Sequence, residues 1–138
     1  MPLRRNSLIA WTAVAVAVPL ILAGGFYGEK TKERHELEAR AQVLTGGDII
    51  RGQQAFAHYG CGGCHSVGGV PGASGKVGPP LDGIASRAIL GGHLENKPDN
   101  MMKWIIAPQT YSPGTAMPNL NVTAADAQDI AAFLYTKT

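Results

Sequence analysis

A chain of 138 residues has room for one membrane-crossing segment and one small globular domain, and for nothing larger. The formal net charge of +2 sits in the N-terminal part: residues 1–47 hold six Lys/Arg against four Asp/Glu and residues 48–138 hold six against six, so the globular part is neutral and lacks the basic face that nucleic acid demands. With 18 glycines and nine prolines in the chain, such a domain is rich in turns and poor in apolar surface to bury, which points to a disulfide, a metal or a cofactor completing its core.

Residues 8–27, LIAWTAVAVAVPLILAGGFY, contain no charged side chain. At about 1.5 Å rise per residue, twenty such positions reach roughly 30 Å, the thickness of a bilayer's hydrocarbon core. Arg4 and Arg5 precede the run and, by the positive-inside rule, place the N-terminus in the cytoplasm. A cleaved signal peptide would have a shorter apolar core and a better small-x-small site than ILAGGF provides. The reading is therefore a signal-anchor transmembrane helix over 1–28, single-pass in the cell (inner) membrane, with the rest of the chain on the periplasmic face. Pro19 falls mid-span, where its missing N–H favours a kink or a neighbouring helix.

The run EKTKERHELEAR, Glu29 to Arg40, alternates in sign. Lys32 with Glu36, Arg34 with Glu38 and Glu36 with Arg40 have the i,i+4 spacing that supports an exposed helix, so 29–46 reads as a charged helical stalk. Thr45-Gly-Gly-Asp48 breaks it, and a domain over 47–138 follows, with helices expected near 47–59, 99–107 and 123–136. Thr123 is a good N-cap for the last, with Asp126 placed as in a capping box.

Two cysteines, the only ones in the chain, lie in Tyr59-Gly-Cys-Gly-Gly-Cys-His65. A thioredoxin-like redox pair belongs at the head of a helix within a βαβ pattern, which the loop-rich and then helical downstream sequence lacks. A structural zinc site takes four ligands; Cys61, Cys64 and His65 supply three, and His35, His58 and His93 form no second pair. Covalent haem fits the spacing: CxxCH is its attachment signature, with both thiols on the vinyl groups of one edge and the histidine carried beneath the iron. His65 is then the proximal ligand, and small Gly62 and Gly63 are expected to relieve conflict with the macrocycle.

The sixth ligand separates electron transfer from gas or peroxide chemistry, because methionine opposite histidine closes the iron and raises its potential. Met101 and Met102 precede Trp104 on a helix and read as core or pocket lining. Met117 lies in SPGTAMPNL, where Pro113, Gly114 and Pro118 bar a helix and stiffen an extended loop able to carry one side chain to a fixed place. Without the CxxCH motif it would read as an ordinary packed loop residue. With the motif, its soft thioether is the expected ligand.

The motifs GQQAFAHYGCGGCH, VGPPLDGI, PQTYSPGTAMP and DAQDIAAFLYT, taken together over residues 48–136, resemble those of a class I (monohaem) cytochrome c, in the family's order. The resemblance implies an all-α fold: a transmembrane helix and helical stalk followed by the haem domain. It implies one haem c bound through Cys61 and Cys64, with His65 and Met117 as the metal ligands. It implies that the Pro79 carbonyl accepts a hydrogen bond from the proximal imidazole, that Leu81 touches the haem face, and that Gly52 and Phe56 cross Ile130 and Phe133 where the terminal helices meet. Trp104 matches an aromatic position near the ligand, and Tyr111 and Thr115 match positions beside the ligand loop, where a plain core role is equally open. The stretch GGHLENKPDNMMKWIIAPQTYSPGTAMPNL is most similar to the cytochrome domain joined to subunit II of some haem-copper oxidases. The cysteines and histidines of a dinuclear copper centre are not available in this sequence, so the cytochrome module alone is expected.

The function implied is electron transfer, not enzymatic turnover. A membrane-tethered carrier would pass single electrons between respiratory or photosynthetic membrane complexes, from a quinol-oxidising complex to a terminal haem-copper oxidase, with no small-molecule substrate and no nucleic acid. The alternatives are a haem subunit integral to a larger oxidoreductase complex and a haem peroxidase or gas-binding protein, for which His93 is the one spare histidine in the domain. The glycine-rich stretch GGVPGASGKVGPP is either a rim at the haem edge or an ordinary loop.

Overall fold

The computed structural model describes the backbone of residues 3–138 and the side chains of Trp11 and residues 14–138. The chain forms two compact units, Met1–Glu36 and Leu37–Thr138. Helix α1 runs over Leu3–Thr45 with Pro19 inside it. In the first unit Lys32 and Glu36 form one of the expected i,i+4 pairs, at 3.9 Å and well exposed.

Among the described residues no helix is long and apolar enough to cross a membrane. This overturns the expected transmembrane helix, and with it the single-pass placement in the cell membrane with a periplasmic domain. Over the described side chains the uncharged run is 14–28, fifteen residues or about 22 Å of helix against roughly 30 Å of hydrocarbon, and Glu29, Lys30, Lys32 and Glu33 follow at once. The flanking Arg4 and Arg5 and the start of the run, 8–10, 12 and 13, lie outside the residues whose side chains are described.

In the second unit, Gly46 turns the chain at a φ of 69° after α1, and Thr45 caps the turn by accepting the Gly47 N–H at 3.1 Å. Helix α2, Ile49–His58, begins at Asp48, whose carboxylate accepts the Arg51 N–H at 2.8 Å. Helix α3, Pro98–Ile106, starts with proline at its first position and buries Met101 and Ile105, one turn apart. A single turn, α4, covers Pro108–Tyr111, and helix α5 covers Ala124–Leu134. Thr123 caps α5 by accepting the Asp126 N–H at 3.1 Å. The Asp126 carboxylate does not reach back to the Thr123 N–H as a full capping box would; it accepts the Thr123 hydroxyl at 2.7 Å.

The domain is helical but not all-α. Strands β1, Ile89–Leu90, and β2, Leu94–Glu95, pair antiparallel with Ile89 opposite Glu95 and Leu90 opposite Leu94. Gly91 and Gly92 reverse the chain between them with φ values of 55° and 80°, a conformation open to glycine. Asn96, just after β2, donates to the carbonyls of Ile84 and Arg87 at 2.8 Å each and accepts the Tyr135 hydroxyl at 2.9 Å, tying the hairpin to the preceding loop and to the C-terminal segment.

The core centres on the crossing of α2 and α5. A Cβ on Gly52 would lie 1.9 Å from the carbonyl oxygen of Asp129, so the two backbones are in contact there. Phe56 and Phe133 pack alongside with their rings tilted at 57° and centroids 5.7 Å apart, and Ile130 is buried between the helices. Asp129 is the buried polar group of the crossing, and its oxygens accept the Asp48 N–H at 2.6 Å and the Arg51 Nε–H at 2.8 Å. Burial pushes the Asp129 carboxyl up, but the hydrogen bonds from Arg51 and the Asp48 amide, with the Arg51 charge, outweigh it and hold the group below the usual carboxylate range.

Candidate functional site

Against the α2/α5 crossing opens a cavity of about 560 Å³ with predominantly apolar walls. One wall comes from the segment after α2. A 3₁₀ turn over Cys61–Gly63 is closed by the Cys64 N–H to the Cys61 carbonyl at 3.2 Å, and the His65 N–H reaches the same carbonyl at 3.0 Å. Cys61, Cys64 and His65 thereby come onto the cavity lining within one turn of chain. The thiols are unbridged, and burial pushes the Cys61 thiol up, with a smaller push from Cys64. Among the described residues the sheet is a lone two-stranded antiparallel hairpin, without the βαβ frame in which a thioredoxin-like pair sits. Among the described residues no group of three or more His, Cys, Asp or Glu gathers as a metal site would require.

His65 is oriented by backbone. Its Nδ1 stands 2.8 Å from the Pro79 carbonyl oxygen, which can only accept, so Nδ1 carries the proton and Nε2 keeps its lone pair. Two glycines make room for this. A Cβ on Gly78 would sit 2.2 Å from the imidazole Cε1, and one on Gly75 would sit 2.3 Å from the Gly63 carbonyl oxygen. The Gly78 N–H bonds the Cys64 carbonyl at 2.9 Å and the Leu81 N–H the Ser66 carbonyl at 2.8 Å, lashing the 75–81 strip to the cysteine turn. Gly62 also admits the 70s loop, since a Cβ there would meet Ala73 Cα at 2.8 Å.

The remaining walls come from the hairpin, α3 and the segment after α4. Leu81, Ile84, Leu90, Met101 and Ile105 are buried and line the cavity, while Val77 and Ile89 line its mouth and stay largely exposed. Trp104 is half-buried on the lining and lies under the hairpin turn, where a Cβ on Gly91 would meet its ring at 2.4 Å. Thr115 and Met117 reach the lining from the proline-rich loop. Of the site residues expected from sequence, Cys61, Cys64, His65, Pro79, Leu81, Trp104, Thr115 and Met117 share this one cavity; Tyr111 ends α4 half-buried and is not on the lining.

Three polar groups escaped the sequence reading. Tyr59, on the lining, donates to Asp126 at 2.8 Å across 67 residues of chain, and hydrogen bonds from Thr123 and Tyr59 hold that carboxyl below its usual range. Arg87, also on the lining, donates to the carbonyls of Pro80 and Asp82. Gln109 on α4 bonds the loop that carries Met117. Tyr59 and Gln109 had position inside a motif as a signal and Arg87 had none, since the partners of all three are set by the fold.

An apolar cavity lined by two adjacent thiols, by an imidazole with a free Nε2 and by a thioether suits a flat, hydrophobic, covalently held metallocofactor, and these donors fit haem. The fold and the site therefore define a haem-binding electron-transfer domain. The chain belongs to the cytochrome c family, whose family model, described as Cytochrome c, matches residues 49–137. It is accordingly an electron-transfer protein and not an enzyme, and the family implies covalently bound haem c. Among curated proteins it is similar to cytochrome c oxidase subunit 2 of Alkalihalophilus pseudofirmus, 34% identical over 100 residues that make up 72% of this chain and 27% of that protein. It is also similar to cytochrome c2 of Agrobacterium tumefaciens, 42% identical over 57 residues that make up 41% of this chain and 47% of that protein. The matched regions thus span about a quarter and somewhat under half of these relatives. No solved structure matches the chain.

Proposed function

We propose that the domain is a monohaem carrier that takes one electron from a quinol-oxidising complex and gives it to a terminal haem-copper oxidase. Haem c, when bound, supplies an iron that alternates between ferrous and ferric states and so stores a single electron. The Cys61 and Cys64 thiols would hold it as thioethers. His65, with Pro79 fixing its ring, would offer Nε2 to the iron, and Met117 would offer its sulfur from the other loop. The apolar wall of Leu81, Ile84, Leu90 and Ile105 keeps water away and favours the less charged, reduced state. The observation that carries this reading is the His65 Nδ1 to Pro79 carbonyl bond on a cavity that also holds both thiols and Met117.

The acceptor is inferred from the similarity to an oxidase subunit, which also favours a second reading, a haem subunit resident in a larger oxidoreductase complex. The test is holoprotein made with cytochrome c maturation machinery. The expected outcome is a mass of the chain plus one haem, a red-edge absorption band from thioether sulfur on ferric iron that Met117→Ala abolishes, and single-electron oxidation by a haem-copper oxidase. Apoprotein mass, or rapid carbon monoxide binding to the unmutated reduced protein, would overturn the site reading. Persistent co-purification with other redox chains in native extracts would select the resident-subunit reading.

A further inference from the structure

The loop that carries Met117 has little structure of its own. Its Thr115 N–H closes one turn on the Ser112 carbonyl at 3.0 Å, and beyond that the Met117 N–H finds the Thr115 hydroxyl only at 3.5 Å, the outer limit of a hydrogen bond. The loop is held by one side chain. Gln109 Nε2 donates to the Thr115 carbonyl at 2.7 Å and to the Met117 carbonyl at 2.8 Å, and Gln109 Oε1 accepts the Gly114 N–H at 3.1 Å. Two carbonyls can only accept and an N–H can only donate, so this triad admits one orientation of the amide. The side chain itself is anchored, since Gln109 sits in α4 directly after the buried Pro108.

We propose that Gln109 is the positioning residue for the Met117 thioether: by clamping the backbone on both sides of Ala116 it presets the loop, and so determines how readily an outside ligand displaces the sulfur. The inference rests on Met117 being the axial ligand. Its physical basis is preorganisation. A thioether is a neutral ligand on a flexible side chain, and each loop residue left free must lose backbone entropy before sulfur meets iron. Gln109 meets that cost in the fold itself. No other amino acid has the reach to present two N–H donors and one acceptor in one plane from this position: asparagine is a methylene short, and glutamate keeps the acceptor while turning the donor end into an oxygen facing two carbonyls.

The experiment is imidazole titration of the ferric holoprotein, read together with the red-edge sulfur-to-iron band, in the unmutated protein, Gln109→Glu, Gln109→Asn and Asp129→Asn. Loss of two net hydrogen bonds from the loop predicts imidazole affinity about tenfold higher in both Gln109 variants, with a weakened band. Asp129→Asn destabilises the domain at the helix crossing and is expected to leave imidazole affinity unchanged. Unmutated affinity and an unmutated band in the Gln109 variants would overturn the inference, as would an equal rise in Asp129→Asn, which would make the effect one of global stability. If Gln109→Glu does not mature, Gln109→Asn decides alone. Absence of the band from the unmutated protein would overturn the ligand reading itself, which separates that failure from this one.

Discussion

Where α2 meets α5, backbone touches backbone at Gly52, two phenyl rings pack at a tilt, and Asp129 is satisfied by a main-chain N–H and an arginine. Around the cavity the chain is held differently: Pro79 and Gly78 are each kept in place by a single hydrogen bond and the Met117 loop by the amide of one glutamine, and their apolar neighbours line the cavity. The first region is complete in itself and supplies the domain's stability. The second is a set of donors and walls whose packing is finished by something other than the polypeptide. Altering the first should therefore move folding, and altering the second should move the site while folding changes little.

Gly52→Ala is the severest way to break that division. A methyl group 1.9 Å from the Asp129 carbonyl oxygen has only backbone to displace, so α2 and α5 must part, and thermal or denaturant unfolding is expected to show a loss of about 3 kcal/mol or more. Asp129→Ala comes next, at about 1–3 kcal/mol, since it leaves the Asp48 N–H and the Arg51 guanidinium without their acceptor. The pH dependence sharpens this case. Because the folded carboxyl titrates below its usual range, its stabilisation is present above the unfolded value of about 3.9 and is lost as pH falls through the lower folded value. The stability gap between Asp129→Ala and the unmutated protein should thus close below about pH 4; a gap that persists undiminished in acid would show that the ion pair is not its source. Gly78→Ala lies at the small end on the same scale, about 1 kcal/mol, because the imidazole can swing aside and give up one bond to Pro79. Its spectrum should nevertheless change most among the three, toward weakly coordinated iron, and an unperturbed low-spin spectrum would contradict the assigned role of the Pro79 contact.

The same division governs how much was legible from the residues alone. The helix pattern and the Thr123 cap follow from local sequence and the Gly52 crossing from the family resemblance, and the helices fall within about three residues of the expected bounds. Cys61, Cys64, His65 and Met117 stand out because few chemistries use those side chains at those spacings, and all four line one cavity. The hairpin at Ile89–Glu95 was missed because two-residue strands leave no alternation to read; only Gly91-Gly92 marks it. The contacts of Gln109 with Thr115 and Met117 depend on a loop curling back six and eight residues later, and those of Tyr59 with Asp126 on the helix crossing. Hydropathy over 8–27 was overextended into a membrane span that the described part of α1 does not sustain.

The contact between Gly52 and α5 also bears on how the molecule is born. Arg51 and Asp129 are 78 residues apart, so nothing can seat α2 until the segment containing α5 has left the ribosome, and that closure over a long span is slow. The cysteine turn, emerging only a few residues behind α2, spends that interval as unanchored chain. Late docking of the C-terminal helix thus leaves a window in which both sulfur atoms remain reachable by a maturation enzyme, before the finished domain half-buries them on its cavity wall.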